Sequence, residues 1–570
     1  IENQASVAKI TGTAVNFTAD PINTAANTFT IQNETDFASY SIGIDPSPCP
    51  SGQRLWDGGG TTNNWSDAAN WACDLIPQNG NNIVFDTTST KDTVIDIPIS
   101  VNSFRINAGF TGSLTLASNT FSSADFTQSD GTFNGGTSSI SVTGAFVQSA
   151  GNFNGGNGPM SVGGGFSITG GAFVASNNST SFASNFKHNG GTFDPNSGTV
   201  IFTGNAASGI NQGLPVTTIE TFNNLAFQRT GIVILKVNGI LNVLGDLNLN
   251  TGQIQQDVFG SVFDANGDVV VGSDFNGLIP LNHIGSRDQK ITVTGSPLTP
   301  WGNWTIDKPA GTVTLASNLK FNGSNGVIFR NGIVKTDQFV LDLGGSGGFA
   351  ENGYVVGNLR KALFGTGTFE VGTESGYSPV TLNSFGVFTV RANEGPLAGA
   401  DPARSIKRNW TITSSGSQGD LTLQYADADV PAGAAEEGFK FIRQNGTLNE
   451  VLEPTTIDTA SNTFVLNNVT EFSTWTLGQL VPTAAAVEIR GRVSTRVGSG
   501  ISRARITITD QNGDARTAVT NPFGYYIISG VEAGRSYVLS VKAKGYSFAS
   551  SVRVITVDDY ISGLDFIADN

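Results

Sequence analysis

Two histidines, His188 and His283, two cysteines, Cys49 and Cys73, and 46 acidic side chains are the raw material for chemistry in this 570-residue chain. A Ser-His-Asp or Cys-His nucleophile needs a histidine beside the attacking group, and neither histidine stands in such a context. His188 shares a twenty-residue column with Gln128, Gln148 and Ile168, which reads as a side chain lining a coil. Zinc needs several soft ligands, and two cysteines held in a disulfide leave too few, so no metal and no cofactor are expected. In an exported chain two cysteines pair by default, and a Cys49–Cys73 bridge adds about 3 kcal/mol by restricting the unfolded loop. Two segments, Asp264-Ala-Asn-Gly-Asp268 and Asp510-Gln-Asn-Gly-Asp514, look like half of a calcium loop. Both lack the closing glutamate, and Asn-Gly is also a hairpin turn, which is the reading preferred here. Asn-x-Ser/Thr sequons such as Asn64, Asn177 and Asn303 permit glycosylation without showing it.

The elements that must carry these groups come from a short repeat. Phenylalanines recur every twenty residues at Phe126, Phe146, Phe166 and Phe186, each followed seven residues later by another at Phe133, Phe153, Phe173 and Phe193. Each pair encloses a glycine, at Gly131, Gly151, Gly171 and Gly191. A fixed period repeated without insertion means one coil stacked on the next, so a parallel β-helix-like solenoid of 20-residue coils is expected. Alternation places the two phenylalanine columns inside, and glycine takes the corners. The repeat loosens beyond these coils, with Leu247, Gly252 and Ile254 keeping its offsets, and Leu114-Thr-Leu-Ala-Ser-Asn119 echoed at Val313-Thr-Leu-Ala-Ser-Asn318. We therefore place the solenoid at 83–355.

Composition agrees with an all-β chain long enough for three or four domains. There are 71 glycines, 37 phenylalanines and one methionine, and no window shows a helical apolar period. The net charge of -15 has no basic block to offer phosphates, which argues against nucleic acid. Only 14% of residues are charged, so the surface must be Ser, Thr, Asn and Gly, which suits a secreted protein. No apolar run is long enough to span a membrane. The chain starts at Ile1, compatible with removal of a signal peptide or with a fragment.

Ahead of the solenoid, residues 51–82 contain Trp56-Asp-Gly-Gly-Gly-Thr-Thr-Asn-Asn-Trp65-Ser-Asp-Ala-Ala-Asn-Trp71. This stretch resembles the opening found before repeats in bacterial haemagglutinin-like and autotransporter-like surface proteins. Its expected work is an end cap over the apolar cross-section and free strand edges, with a carbohydrate-stacking platform as the competing reading. Residues 356–480 turn to ordinary strand and turn alternation, with Tyr377-Ser-Pro-Val-Thr-Leu382 and Leu421-Thr-Leu-Gln-Tyr425, and read as a β-sandwich. The last module, 481–570, carries Gly491-Arg-Val, Ala504-Arg-Ile-Thr-Ile-Thr-Asp510, Thr520-Asn-Pro-Phe-Gly-Tyr-Tyr526 and Tyr537-Val-Leu-Ser-Val541. These motifs resemble the carboxypeptidase regulatory-like domain, a small Ig/transthyretin-like sandwich. The resemblance implies a stalk or spacer in secreted proteins and brings no catalytic residues.

A longer repeat bears on function. Thr24-Ala-Ala-Asn-Thr-Phe29 through Gly43 aligns without gaps on Thr459-Ala-Ser-Asn-Thr-Phe464 through Gly478, a constant offset of 435. Residues 1–50 thus copy the end of the 356–480 sandwich without its front half, and an isolated hairpin is marginal in water. Phe29, Ile31, Phe37, Tyr40 and Ile42 are expected on one buried face, matching Phe464, Leu466, Phe472, Trp475 and Leu477. The favoured reading is a non-enzymatic, extracellular subunit of a bacterial surface filament or layer that assembles head to tail by strand addition, its partner being a second copy. The alternatives are an adhesin binding surface glycans and a solenoid polysaccharide-degrading enzyme. Against the enzyme, residues 126–205 hold only Asp130, Lys187 and Asp194 as charged groups, too few for paired acids. Against strand addition, Ile1 is alternatively a cut within a longer tandem repeat.

Overall fold

Apolar side chains at every second position, broken by glycine at the corners, leave this chain only one economical arrangement, strands stacked in register. The computed structural model describes residues 52–569 apart from 232, 279, 296–301, 322–325, 346–347, 417, 447 and 482–485. Before residue 52 it describes the backbone of five strands, Ala5–Thr11, Ala14–Thr18, Ile22–Asn23, Thr28–Phe29 and Ser39–Ile44. Among the described residues there is no α-helix, only strands and short 3-10 turns.

Each regular coil has three faces. On the first, Phe126 pairs in parallel with Phe146, then Phe166, then Phe186. On the second, Phe133, Phe153, Phe173 and Phe193 do the same. On the third, Ile140, Met160, Thr180 and Val200 form one inward column, with Val142, Val162, Phe182 and Phe202 beside it. The rings of Phe133, Phe153 and Phe173 stack at 5.0 Å and 2°. They meet the other ladder edge-on, Phe146 to Phe153 at 5.0 Å and 85°. Offset-stacked and T-shaped pairs are the favoured aromatic geometries, so the two ladders interlock along the bore. The corner glycines Gly131, Gly151, Gly171 and Gly191 have φ of 63°, 79°, 79° and 74°, the left-handed region that a side chain disfavours.

Beyond the regular coils the columns persist with longer spacing. Leu225, Leu247, Val269, Ile291 and Leu315 lie over one another in parallel register, although the spacing has grown past twenty residues. The extra residues are accommodated at the corners and bulges, while the inward column stays apolar. The strand Tyr354–Phe369 ends this regime. Its first part runs parallel to Val327–Asp342, and its length from Leu359 to Phe369 pairs antiparallel with Val390 to Val380.

The chain forms two compact units, residues 1–391 with 414–417, and residues 392–413 with 418–570. The division falls inside the stretch 356–480 that the sequence assigns to one sandwich. Tyr354–Phe369 and Val380–Glu394 grow directly from the last coil, because parallel pairing to the solenoid holds the first of them. In the second unit, Thr474–Leu480 is flanked by Lys440–Asn445 on one side and by Arg408–Ser414 and Ala400–Ser405 on the other. Trp410 lies directly across from Trp475, and both are fully buried. The C-terminal module has two sheets. One is Tyr525–Val531, Val487–Thr495 and Phe566–Ala568, the other Ala515–Val519, Arg505–Thr509, Arg535–Lys542 and Val552–Val557. Ile489, Ile506, Tyr526, Leu539 and Phe566 lie in the core between them, an Ig-like sandwich.

Candidate functional site

The N-terminal strands reproduce the pairing of the strands at the end of the 356–480 stretch. Ile22 pairs with Phe29 and Asn23 with Thr28, as Ile457 pairs with Phe464 and Asp458 with Thr463. The strand Ser39–Ile44 has its counterpart in Thr474–Leu480 at the same offset of 435. The preceding hairpin keeps its register too, at an offset of 434. Val7 pairs with Thr18 and Lys9 with Asn16, where Phe441 pairs with Leu452 and Arg443 with Glu450. Ala5–Thr11 then pairs with Ser39–Ile44, Val7 to Ile42 and Lys9 to Tyr40, where Phe441 pairs with Leu477 and Arg443 with Trp475. An ungapped comparison at the offset of 435 misses this hairpin because one residue is lost between the two stretches; at 434, Val7, Ala8 and Lys9 fall on Phe441, Ile442 and Arg443.

The copies differ at their far edges. In the sandwich, Thr474–Leu480 also pairs with Arg408–Ser414, and Thr463–Val469 with Gly419–Gln424. In the N-terminal copy the three-stranded sheet ends at Ser39–Ile44, which has no second neighbour among the described residues. A row of unpaired backbone donors and acceptors is a template for another strand. Of the residues expected at this interface, Phe29, Tyr40 and Ile42 stand on the strands just given, while Ile31 and Phe37 lie outside the described residues. Their expected burial on one face concerns side chains that also lie outside them. In the sandwich copy, Phe464, Leu466, Trp475 and Leu477 are buried. Phe472 is only half-buried, against expectation, because it falls in the connection between two strands and not on either.

Trp56, Trp65 and Trp71 are fully buried at the start of the solenoid. Trp65 stacks on Phe104 at 6.1 Å and 9°, and Phe104 on Phe126 at 5.6 Å and 3°, so the tryptophan heads the first phenylalanine column. Trp71 and Trp56 close on Phe85. With both faces occupied, none of the three rings is open to a sugar. The glycine-rich loop between them is held by Lys91, whose Nζ donates to Gly58 O, Gly60 O and Asn70 Oδ1 at 3.2, 2.6 and 2.8 Å. Cys73 follows this loop and is not a free thiol; Cys49, its expected partner, lies outside the described residues.

The histidines are built into the bore. His188 occupies the column of Gln128, Gln148 and Ile168. The two glutamines are buried and donate to corner carbonyls, Gln128 to Asn152 O and Gln148 to Ala172 O, each at 3.0 Å. His188 Nδ1 lies 3.1 Å from Glu220 Oε2, and that hydrogen bond raises the imidazole above its ordinary value. Asn211 Nδ2 donates to the same carboxylate. His283 is fully buried against Trp304, and burial pushes it down to about 3, so it is neutral.

Several arrangements had no local signal in the sequence. Lys361 Nζ meets Glu370 Oε2 at 2.6 Å beside a cavity of about 570 Å³, and burial moves the lysine down and the carboxyl up. Arg408 and Asp429 pair at 2.8 Å, both buried. Asp510 closes a hairpin turn, accepting from Asn512 N and Asp514 N, while Asp264 accepts from Asn282 on a solenoid face. Among the described residues no three His, Cys, Asp or Glu side chains converge in a way that could hold a metal. Among the described residues no helix is long and apolar enough to cross a membrane.

Residues 488–566 match the carboxypeptidase regulatory-like domain. No curated protein sequence matches the chain. Among solved structures, one similar chain is the Bacillus anthracis TIE protein, at 12% identity and a TM-score of 0.14, covering 35% of this chain and 55% of that one. Another is the pilus backbone RrgB of Streptococcus pneumoniae, at 10% and 0.12, covering 34% and 71%. A third is an adhesin of Mobiluncus mulieris, at 9% and 0.12, covering 36% and 96%. The match therefore spans little more than half of the Bacillus anthracis protein. At these TM-scores none of the three bears on what this chain does.

Proposed function

We propose that this chain is an extracellular, non-enzymatic structural subunit of a bacterial surface filament or layer, and that copies join head to tail through the N-terminal strands. The observation that carries the reading is the repeated pairing register, in which Ala5–Thr11 and Ser39–Ile44 reproduce a half-sandwich whose outer strand has no second neighbour among the described residues. A strand of the next subunit would satisfy that edge through main-chain hydrogen bonds, and alternating side chains would set its register. A contact between two different surfaces of the same chain propagates unless its rotation closes a ring, so it builds a filament. Surface location is supported by the Ser, Thr, Asn and Gly content, by the regulatory-like module at 488–566 and by the resemblance of the Trp56 to Trp71 stretch to the opening of haemagglutinin- and autotransporter-like proteins. An oxidising compartment would hold Cys73 to Cys49.

The test is deletion of residues 1–44. Electron microscopy and sedimentation of the intact chain are expected to show polymers, and the truncated chain, with an unchanged circular dichroism spectrum, only monomers. Polymers of the same form from the truncated chain, or none from the intact chain, overturn the reading.

A further inference from the structure

We infer that the outer face of the strands Val487–Thr495 and Tyr525–Val531 is a binding groove for an acidic saccharide. Strand alternation turns Val487, Ile489 and Val493 into the core of the module and leaves Glu488, Arg490 and Arg492 outside. Across the sheet Arg492 faces Tyr525 and Arg490 faces Ile527. With Tyr560, Ser562 and Asp565 these residues line a groove of about 540 Å³. Tyr525 and Tyr560 are 53% and 51% exposed, large apolar rings on a module whose core is already closed.

The two arginines differ in a way that selects the ligand. Arg490 lies 5.7 Å from the Tyr560 ring and is neutralised by Glu488 at 2.7 Å. Arg492 lies 5.1 Å from the Tyr525 ring, and its Nε and Nη2 donate to Phe523 O and Gly498 O, each at 3.1 Å. Those bonds hold the guanidinium in place, yet among the described residues no carboxylate is within ion-pair reach of it. A fixed, planar guanidinium without a counter-ion suits a ligand carboxylate. The neighbouring tyrosine rings suit the apolar face of a pyranose, and Asp565, already accepting from Arg492 N at 2.7 Å, suits its hydroxyls.

Charge and size point the same way. The last ninety residues hold ten of the 31 basic side chains and eight of the 46 acidic ones, so this module is slightly positive on a chain of net charge -15. A second copy of the acidic chain would also be attracted. A stable protein contact, however, needs about 800 Å² from each partner, whereas a groove of this volume falls in the range of small-ligand sites.

The experiment is calorimetric titration of the full chain with tetragalacturonate and with its fully methyl-esterified form. The acid is expected to bind, and esterification to weaken binding by about tenfold or more, since it removes a charge-assisted bidentate pair. Arg492→Gln is expected to weaken the acid similarly, and Tyr560→Ala, on an exposed ring, provides a variant whose folding is not at risk. Deleting residues 1–44 is expected to leave the affinity unchanged, which separates this site from assembly. Equal affinity for acid and ester, or no binding of either, overturns the inference. So does unaltered affinity in folded Arg492→Gln and Tyr560→Ala. Loss of self-association in Arg492→Gln without any saccharide binding reassigns the groove to a contact between copies.

Discussion

Replacing Phe153 by alanine removes a ring that is 1% exposed and stacked on both sides, on Phe133 and on Phe173, at 5.0 Å each. It also meets Phe146 edge-on at 5.0 Å and Phe126 at 5.4 Å. Burying alanine in place of a core phenylalanine costs about 3 to 5 kcal/mol when the site cannot collapse, and a bore fixed by β pairing on three sides cannot. The lost aromatic pairs act in the same direction, at about 0.5 to 1.5 kcal/mol each beyond area. Phe193, at the last rung of the same ladder, is the matched control. It is half-buried and stacks on one side only, on Phe173 at 5.5 Å and 7°. Phe193→Ala is therefore expected to cost about 1 to 2 kcal/mol, as partial loss of a buried side chain does. Guanidinium unfolding followed by circular dichroism measures both. Hydrogen exchange should localise the loss of protection in Phe153→Ala to the neighbouring coils and leave residues 488–566 protected, because solenoid coils interact with their nearest neighbours. A cost for Phe193→Ala equal to or above that for Phe153→Ala, or uniform loss of protection, would refute the stacked-ladder account.

At the corner, Gly151 has φ of 79°, and a Cβ there would lie 2.3 Å from Asp130 O, so Gly151→Ala is expected to cost more than about 1 kcal/mol. Gly165→Ala, with no atom within 4 Å of its Cβ, should stay within about 0.5 kcal/mol of the parent in the same unfolding assay. His283 gives a pH signature. Its folded value of about 3 lies below the ordinary 6.5, so as pH falls through 6.5 the unfolded chain binds a proton that the folded chain refuses, and stability drops. His283→Leu should lose less stability than the parent between about pH 7 and about pH 5, above the range where carboxylates titrate; equal losses in the two proteins would show that His283 is not held neutral.

Local pattern was enough to determine the solenoid. Phe126 to Phe193 alternate with polar residues, a glycine falls at each left-handed corner, and twenty residues close one coil, all properties of adjacent positions. The 435-residue copy was equally legible where Thr24 to Gly43 keep their residue types. Tertiary structure alone decided what depends on register between distant strands. Lengthening of the coils past twenty residues places Glu220 beside His188 and Leu315 over Ile291, and no local period predicts that drift. That Gln128 and Gln148 line the coil follows from their column, but that each donates to a corner carbonyl, Gly131 O and Gly151 O, is decided by the fold. The hairpin Ala5–Thr11 with Ala14–Thr18 sits one residue out of step with the 435 offset, and it was the strand register that brought Val7 and Lys9 onto Phe441 and Arg443. The groove beneath Arg492 needs Tyr525 and Asp565 from strands and loops far along the chain, and only their antiparallel and parallel pairing to Val487–Thr495 brings the three together.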